Sequence, residues 1–175
     1  MVCLIVSSNR RLRSQVREVL RQAGYSIRDI LSVRNEEEFS QCLREQSKIA
    51  VAVVDIHFAT QPQSPRMHLS PNSPSYCAIR TLKRWRTGCT IIALTHPQCQ
   101  QYDHDLLLLG AKKFIYIAGV TVTWQHELLM SVQRQCQQQG PKWKRYATAV
   151  LSRLRKKRPP VFQQEDASVV ISPDA

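Results

Sequence analysis

Glycine is scarce in this chain, with five residues among 175. None of them falls in a G-x-x-x-x-G-K or G-x-G-x-x-G pattern, so no glycine-rich backbone cradle for nucleotide phosphates can be assembled. No G-x-S-x-G elbow occurs either, which removes an acyl-transfer site of that type. Paired cysteines are also missing: Cys3, Cys42, Cys77, Cys89, Cys99 and Cys136 are scattered, with no C-x-x-C. A zinc site needs ligands clustered at short spacing, and isolated thiols inside apolar stretches suit a reducing compartment. No metal and no cofactor are expected. No apolar run is long enough to span a bilayer. The opening MVCLIVSSNRR carries its positive charge after a short apolar run, the reverse of a secretory signal. A cytoplasmic location is expected, with the nucleus as the other compartment consistent with these features.

Acidic residues are outnumbered by basic ones, 13 to 25, for a formal net charge of +12. Much of the excess sits late, at Lys142, Lys144, Arg145, Arg153, Arg155, Lys156, Lys157 and Arg158. Between them Trp143, Ala147, Val150, Leu151 and Leu154 recur at helical spacing, and Pro159-Pro160 stops the pattern. Residues 139–160 therefore read as a basic amphipathic linker helix that packs on a neighbouring domain or pairs with a second copy in a homodimer. A nuclear-import signal, an anionic-surface patch and a DNA contact are the other readings. A nucleic-acid partner is not expected, because only Trp143 and Tyr146 stand as aromatics beside the charge.

With 43% hydrophobic residues the chain can bury a core. Val2 to Val6 is a short β-branched apolar run, the mark of a strand covered on both faces. Leu12, Val16, Val19, Leu20 and Ala23 then place one apolar stripe on a helix, which Gly24 closes. A second strand is expected over Ile27 to Val33 and a helix after Asn35, where Glu36, Glu37 and Glu38 suit the positive end of the helix dipole. IAVAVVDI, from Ile49 to Ile56, reads as the central strand. The Pro- and Ser-rich stretch 59–75 reads as an exposed loop insertion. After it come a short helix with Ile79, Leu82 and Trp85, a strand from Thr90 to Thr95, a helix ending at Leu109, a strand from Lys113 to Ile117 and a helix from Val122 to Cys136. Five β-then-α units imply a five-stranded parallel sheet between helices, a flavodoxin-like three-layer αβα sandwich over residues 1–138. The functional crevice of such a sheet lies at the carboxyl ends of its strands, which here carry Ser7, Ser8, Asp55, Thr95 and Ile117.

These stretches resemble a known family. VCLIVSSNRRLRSQVREVLRQAGY is similar to the opening of a two-component receiver domain, VVDIHF to its phosphoacceptor strand, IIALTH to its switch-threonine strand and LGAKKFIYI to its last strand. In that family two acids after strand one hold magnesium, an aspartate on strand three takes the phosphoryl group, a hydroxyl on strand four follows it and a lysine after strand five neutralises it. The resemblance assigns Asp55 and Thr95 to the aspartate and the hydroxyl. Ser7 and Ser8 stand in place of the acids, and Ile117, followed by Ala118, in place of the lysine. Phosphoryl transfer to a carboxylate depends on cations that offset charge on the transferring group, and serine is a weak ligand for a hard dication. The resemblance therefore implies a pseudo-receiver, non-catalytic and regulatory, whose partner is another protein or a neighbouring domain. A response regulator phosphorylated on Asp55 is the alternative; a DNA-binding regulator acting through the basic helix is the second.

His57 is set aside as a strand neighbour facing away from Asp55, and Asp103, His104 and Asp105 as residues on different sides of a helix. Ser64, Ser70 and Ser73 precede prolines and are candidate phosphosites. Residues 161–175, VFQQEDASVVISPDA, resemble the start of a PAS domain. A receiver-like module, a connecting helix and a PAS domain in that order resemble the N-terminal part of the family-8 cyclic AMP phosphodiesterases of animals, which implies a truncated regulatory region of such a protein.

Overall fold

The computed structural model describes residues 2–58, 72–117 and 121–139. The basic segment from Lys142 to Arg158, the tail 161–175, Ser64, Ser70 and most of the loop insertion lie outside the described residues. Five strands, β1 (Val2–Val6), β2 (Ile30–Val33), β3 (Ile49–Asp55), β4 (Thr90–Thr95) and β5 (Lys113–Tyr116), alternate with α1 (Arg10–Gln22), α2 (Glu36–Glu45), α3 (Pro74–Trp85), α4 (Asp103–Leu109) and α5 (Thr121–Gln139). All pairings are parallel, in the order β2-β1-β3-β4-β5. This is the expected flavodoxin-like sandwich.

Alternate residues of each strand feed opposite cores, because side chains along a strand point to opposite faces. Cys3, Ile5, Val51, Val53, Ile92 and Leu94 meet α1 and α5 through Val16, Leu20, Trp124 and Leu128. Leu4, Val6, Ala52, Val54, Ile91 and Ala93 meet α2, α3 and α4 through Phe39, Ile79, Leu82 and Leu106. Burial on both faces is why β1, β3 and β4 read as unbroken apolar runs instead of alternating ones.

Polar ties hold the edges. Arg86 Nη2, just past α3, donates to the carbonyls of Leu43 and Gln46 at 2.6 and 2.7 Å, satisfying acceptors left over at the end of α2. Lys113 Nζ meets Ser131 Oγ at 2.8 Å and Glu127 at 2.9 Å, fastening α5 to the outer strand.

Two expectations are corrected. The second strand begins at Ile30 and not Ile27, because a 3-10 turn over Ile27–Asp29 carries the chain away from the Gly24 cap and leaves Ile27 63% exposed. The loop insertion ends before residue 75: Pro74 occupies the first turn of α3, where its fixed φ is already helical and its missing N–H is not needed.

Both α1 and α4 end on a glycine at positive φ, Gly24 at 96° and Gly110 at 116°. At each end one N–H reaches back five residues, Tyr25 to Leu20 and Ala111 to Leu106, a hydrogen-bonded stop that favours glycine. The two differ in surroundings: a Cβ on Gly110 would sit 2.8 Å from Lys83 Cγ and Cδ, whereas one on Gly24 meets nothing within 4 Å. Gly24→Ala is therefore expected to lose about 1–2 kcal/mol from backbone strain alone. Gly110→Ala should lose more by urea denaturation, with the excess recovered in the Gly110→Ala, Lys83→Ala double variant.

Candidate functional site

Parallel strands leave all their carboxyl ends on one edge, and the reversal of strand order at β1 and β3 opens a crevice there. Asp55 is the last residue of β3 and Ser7 the first after β1. Both are buried, Asp55 at 4% exposure. Ser7 Oγ donates to Asp55 Oδ2 at 2.7 Å, and the His57 backbone N–H donates to Oδ1 at 2.9 Å. A buried carboxylate is costly unless its oxygens find donors, and each oxygen of Asp55 has one.

Ser7 is itself fixed from several sides. Its Oγ accepts from Asn9 N at 3.1 Å, its N–H donates to the Val33 carbonyl at 3.2 Å, and its carbonyl accepts from Arg13 Nη1 at 2.7 Å. Asn9 in turn caps α1, its Oδ1 accepting from the N–H groups of Arg11 and Leu12. The serine thus joins the end of β1, the start of α1 and the carboxylate. Ser8 is exposed and its hydroxyl is bonded to none of the described residues.

Thr95 ends β4 fully buried. Its hydroxyl turns to the His96 carbonyl at 3.4 Å, and its own carbonyl accepts from Ile117 N at 2.6 Å. Ile117, half-buried after β5, packs its aliphatic side chain against the core shared with α1 and α5. The lysines before it stay away: Lys113 opens β5 at the opposite end from Asp55 and is engaged by Glu127 and Ser131. Among the described residues no lysine or arginine forms an ion pair with Asp55.

Two residues set aside on sequence grounds have contacts of their own here. β3 stops at Asp55, and the chain turns so that His57 packs its ring 5.0 Å from that of His96. Treating His57 as a strand neighbour missed the turn; the Asp-x-His spacing is the only sequence signal, since a carboxylate readily bonds the N–H two residues on. Asp103 also has a local task, accepting a hydrogen bond from the Tyr116 hydroxyl that pushes the phenol up to about 12.

Of the candidate phosphosites only Ser73 is described. It is 8% exposed, immediately before α3, with its Oγ 3.3 Å from Ser75 Oγ. This corrects its placement on an exposed loop: the helix that starts at Pro74 draws it against the core.

The parallel order β2-β1-β3-β4-β5 with helices on both faces gives this domain a flavodoxin-like αβα fold of the receiver type. No family model matches the sequence, and no curated protein does. Solved structures do match. The receiver domain of NtrX from Brucella abortus superposes with a TM-score of 0.59 at 11% identity, covering 77% of this chain and 98% of that one. A putative response regulator from Chloroflexus aurantiacus gives 0.57 at 16%, covering 77% and 95%. A beryllofluoride-activated DrrB receiver domain gives 0.56 at 19%, covering 78% and 99%. Among the described residues no helix is long and apolar enough to cross a membrane.

Removing the Ser7 hydroxyl leaves Asp55 Oδ2 buried without its donor, so Ser7→Ala is expected to cost about 1–3 kcal/mol in chemical denaturation. An unchanged midpoint would show that the pair is not needed. Burial holds the His57 imidazole below its ordinary 6.5, with Asp55 opposing the shift and His96 adding to it. The unfolded chain therefore takes up that proton first, so stability is undiminished above pH 6.5 and declines as pH falls toward the folded-state value. His57→Gln should flatten that decline in denaturation curves taken across the acidic range.

Proposed function

We propose that this chain is a receiver-type signal-transduction module that acts through protein contacts, with Asp55 serving as an internal hydrogen-bond acceptor and not as a phosphoryl acceptor. The Ser7–Asp55 hydrogen bond carries this reading. Ser7 stands in place of an acid that would hold a divalent cation and bonds directly to the aspartate, while Ile117 supplies no positive charge. Without those cations the developing charge of a transferring phosphoryl group goes unanswered. Leu107 and Leu108 on α4 and Met130 on α5 are exposed at 46%, 74% and 40%, apolar surface suited to a neighbouring domain or protein. The segment has no catalytic activity of its own in this reading.

A second reading is favoured by the superposition on response-regulator receivers, one of them captured with a phosphoryl mimic: Asp55 accepts a phosphoryl group in a phosphorelay. It keeps Asp55 and Thr95 in their family roles and requires an ion site built without the two acids. The finer reading of the parent protein, a cyclic AMP phosphodiesterase whose regulatory region this is, rests on the order of receiver-like module, linker and PAS-like tail. DNA binding, the remaining alternative, rests on the basic charge of the linker. Both depend on residues outside those described, and the structural neighbours above add nothing to them.

Thermal unfolding with magnesium and beryllofluoride separates the two main readings. The native chain is expected to show no stabilisation by these ligands, and the Ser7→Asp, Ser8→Asp variant is expected to gain a magnesium-dependent shift. A clear shift in the native chain, abolished by Asp55→Asn, establishes the phosphorelay reading instead.

A further inference from the structure

A cleft of about 620 Å³ opens between α1 and the end of β2, away from the apolar surface of α4 and α5. Its walls carry Arg10, Arg13 and Arg17 from α1 and Arg34 from beyond β2. Positions 10, 13 and 17 share one face of the helix. Ser14 and Ser32 add two hydroxyls, and Glu38 is the one acid among the lining residues. Four guanidinium groups against one carboxylate leave a formal excess of three positive charges in one cleft.

Helix energetics do not account for this arrangement. The first turn of α1 has no acidic residue and begins Arg10-Arg11, placing cations at the positive end of the helix dipole where anions are favoured. Two of the arginines are bonded to neutral partners: Arg17 to the Ser32 hydroxyl and Arg13 to the Ser7 carbonyl. Only Arg34 meets a carboxylate, through Nε to Glu38 at 2.8 Å. Arg10 forms no hydrogen bond or ion pair with the described residues. Burial and then the nearby Arg34 hold the Arg13 guanidinium below its ordinary value, so the cluster repels its own members. A bound anion relieves both the mutual repulsion and the mismatch with the dipole.

We infer that this cleft is a binding site for a small anion bearing several phosphate groups. Guanidinium forks match phosphate oxygens two at a time, and the volume lies in the range of small-molecule sites. Four arginines and two hydroxyls exceed what a single phosphate engages. Arg13 also donates to the Ser7 carbonyl, so the cleft adjoins the Ser7–Asp55 pair, and a site there does not depend on whether Asp55 is phosphorylated. The same chemistry is presented by a soluble polyphosphate and by a phosphoinositide headgroup.

The test uses the full 175-residue chain and inositol hexakisphosphate as probe. The basic run from Lys142 to Arg158 attracts any polyanion, so the cleft is read from variants. Arg17→Gln and Arg34→Gln are each expected to weaken calorimetric binding by about tenfold, with native circular dichroism, while Arg80→Gln on α3 changes it less than about twofold. Glu38→Gln removes the opposing carboxylate and should tighten binding by about two- to fivefold, a gain that no folding defect can imitate. Vesicles containing phosphatidylinositol 4,5-bisphosphate separate the sources: co-sedimentation that falls in Arg17→Gln and Arg34→Gln identifies a headgroup, and co-sedimentation indifferent to them a soluble ligand. Equal losses in Arg17→Gln and Arg80→Gln, or no effect of Glu38→Gln, overturn the proposal. So does preferential binding of duplex DNA that is indifferent to the cleft variants.

Discussion

A carboxylate buried at the end of a central strand has to be answered by donors or cations. That requirement organises the whole carboxyl edge of this sheet. Asp55 is brought there by β3, the longest of the five described strands, and it is answered by the Ser7 hydroxyl and the His57 N–H. Because Ser7 also engages Asn9, Val33 and Arg13, the start of α1 and the ends of β1 and β2 are coupled to that carboxylate. The result is a hydrogen-bonded knot where the resemblance to receivers leads one to look for an ion site.

Backbone placement is retained: Asp55 ends β3, Thr95 ends β4 and Ile117 follows β5, as parallel pairing in the order 2-1-3-4-5 requires. The positive charge nearby lies on α1 and beside β2, where four arginines line a cleft. Arg13 is shared by the two regions, touching the Ser7 carbonyl from the arginine side.

Much of the architecture was legible in the order of the residues. The unbroken apolar runs at Val2–Val6, Ile49–Asp55 and Thr90–Thr95 announce strands covered on both faces, and the stripe Leu12, Val16, Val19, Leu20 announces α1. Boundaries were harder to place where a local device competes with propensity. Ile27 is β-branched yet lies in a 3-10 turn, and Pro74 starts a helix at the end of what reads as a loop. The site residues were identifiable as strand ends, but their partners were not. Ser7 and Asp55 are 48 positions apart, and nothing in either neighbourhood specifies that one hydroxyl meets one particular carboxylate oxygen.

By itself the sequence determined the alternation of strands and helices, hence a parallel three-layer fold, because hydrophobic periodicity is a property of short windows. It also determined that acids are missing after the first strand and a lysine after the last. Only the tertiary structure decided that Ser7 binds Asp55, that the chain turns at His57 to pack it on His96, and that arginines from α1 and Arg34 line one cleft. Contacts of that kind depend on which strands lie side by side and on how far each crossover carries the chain. Side-chain chemistry at such distances is set by packing and not by neighbours in sequence.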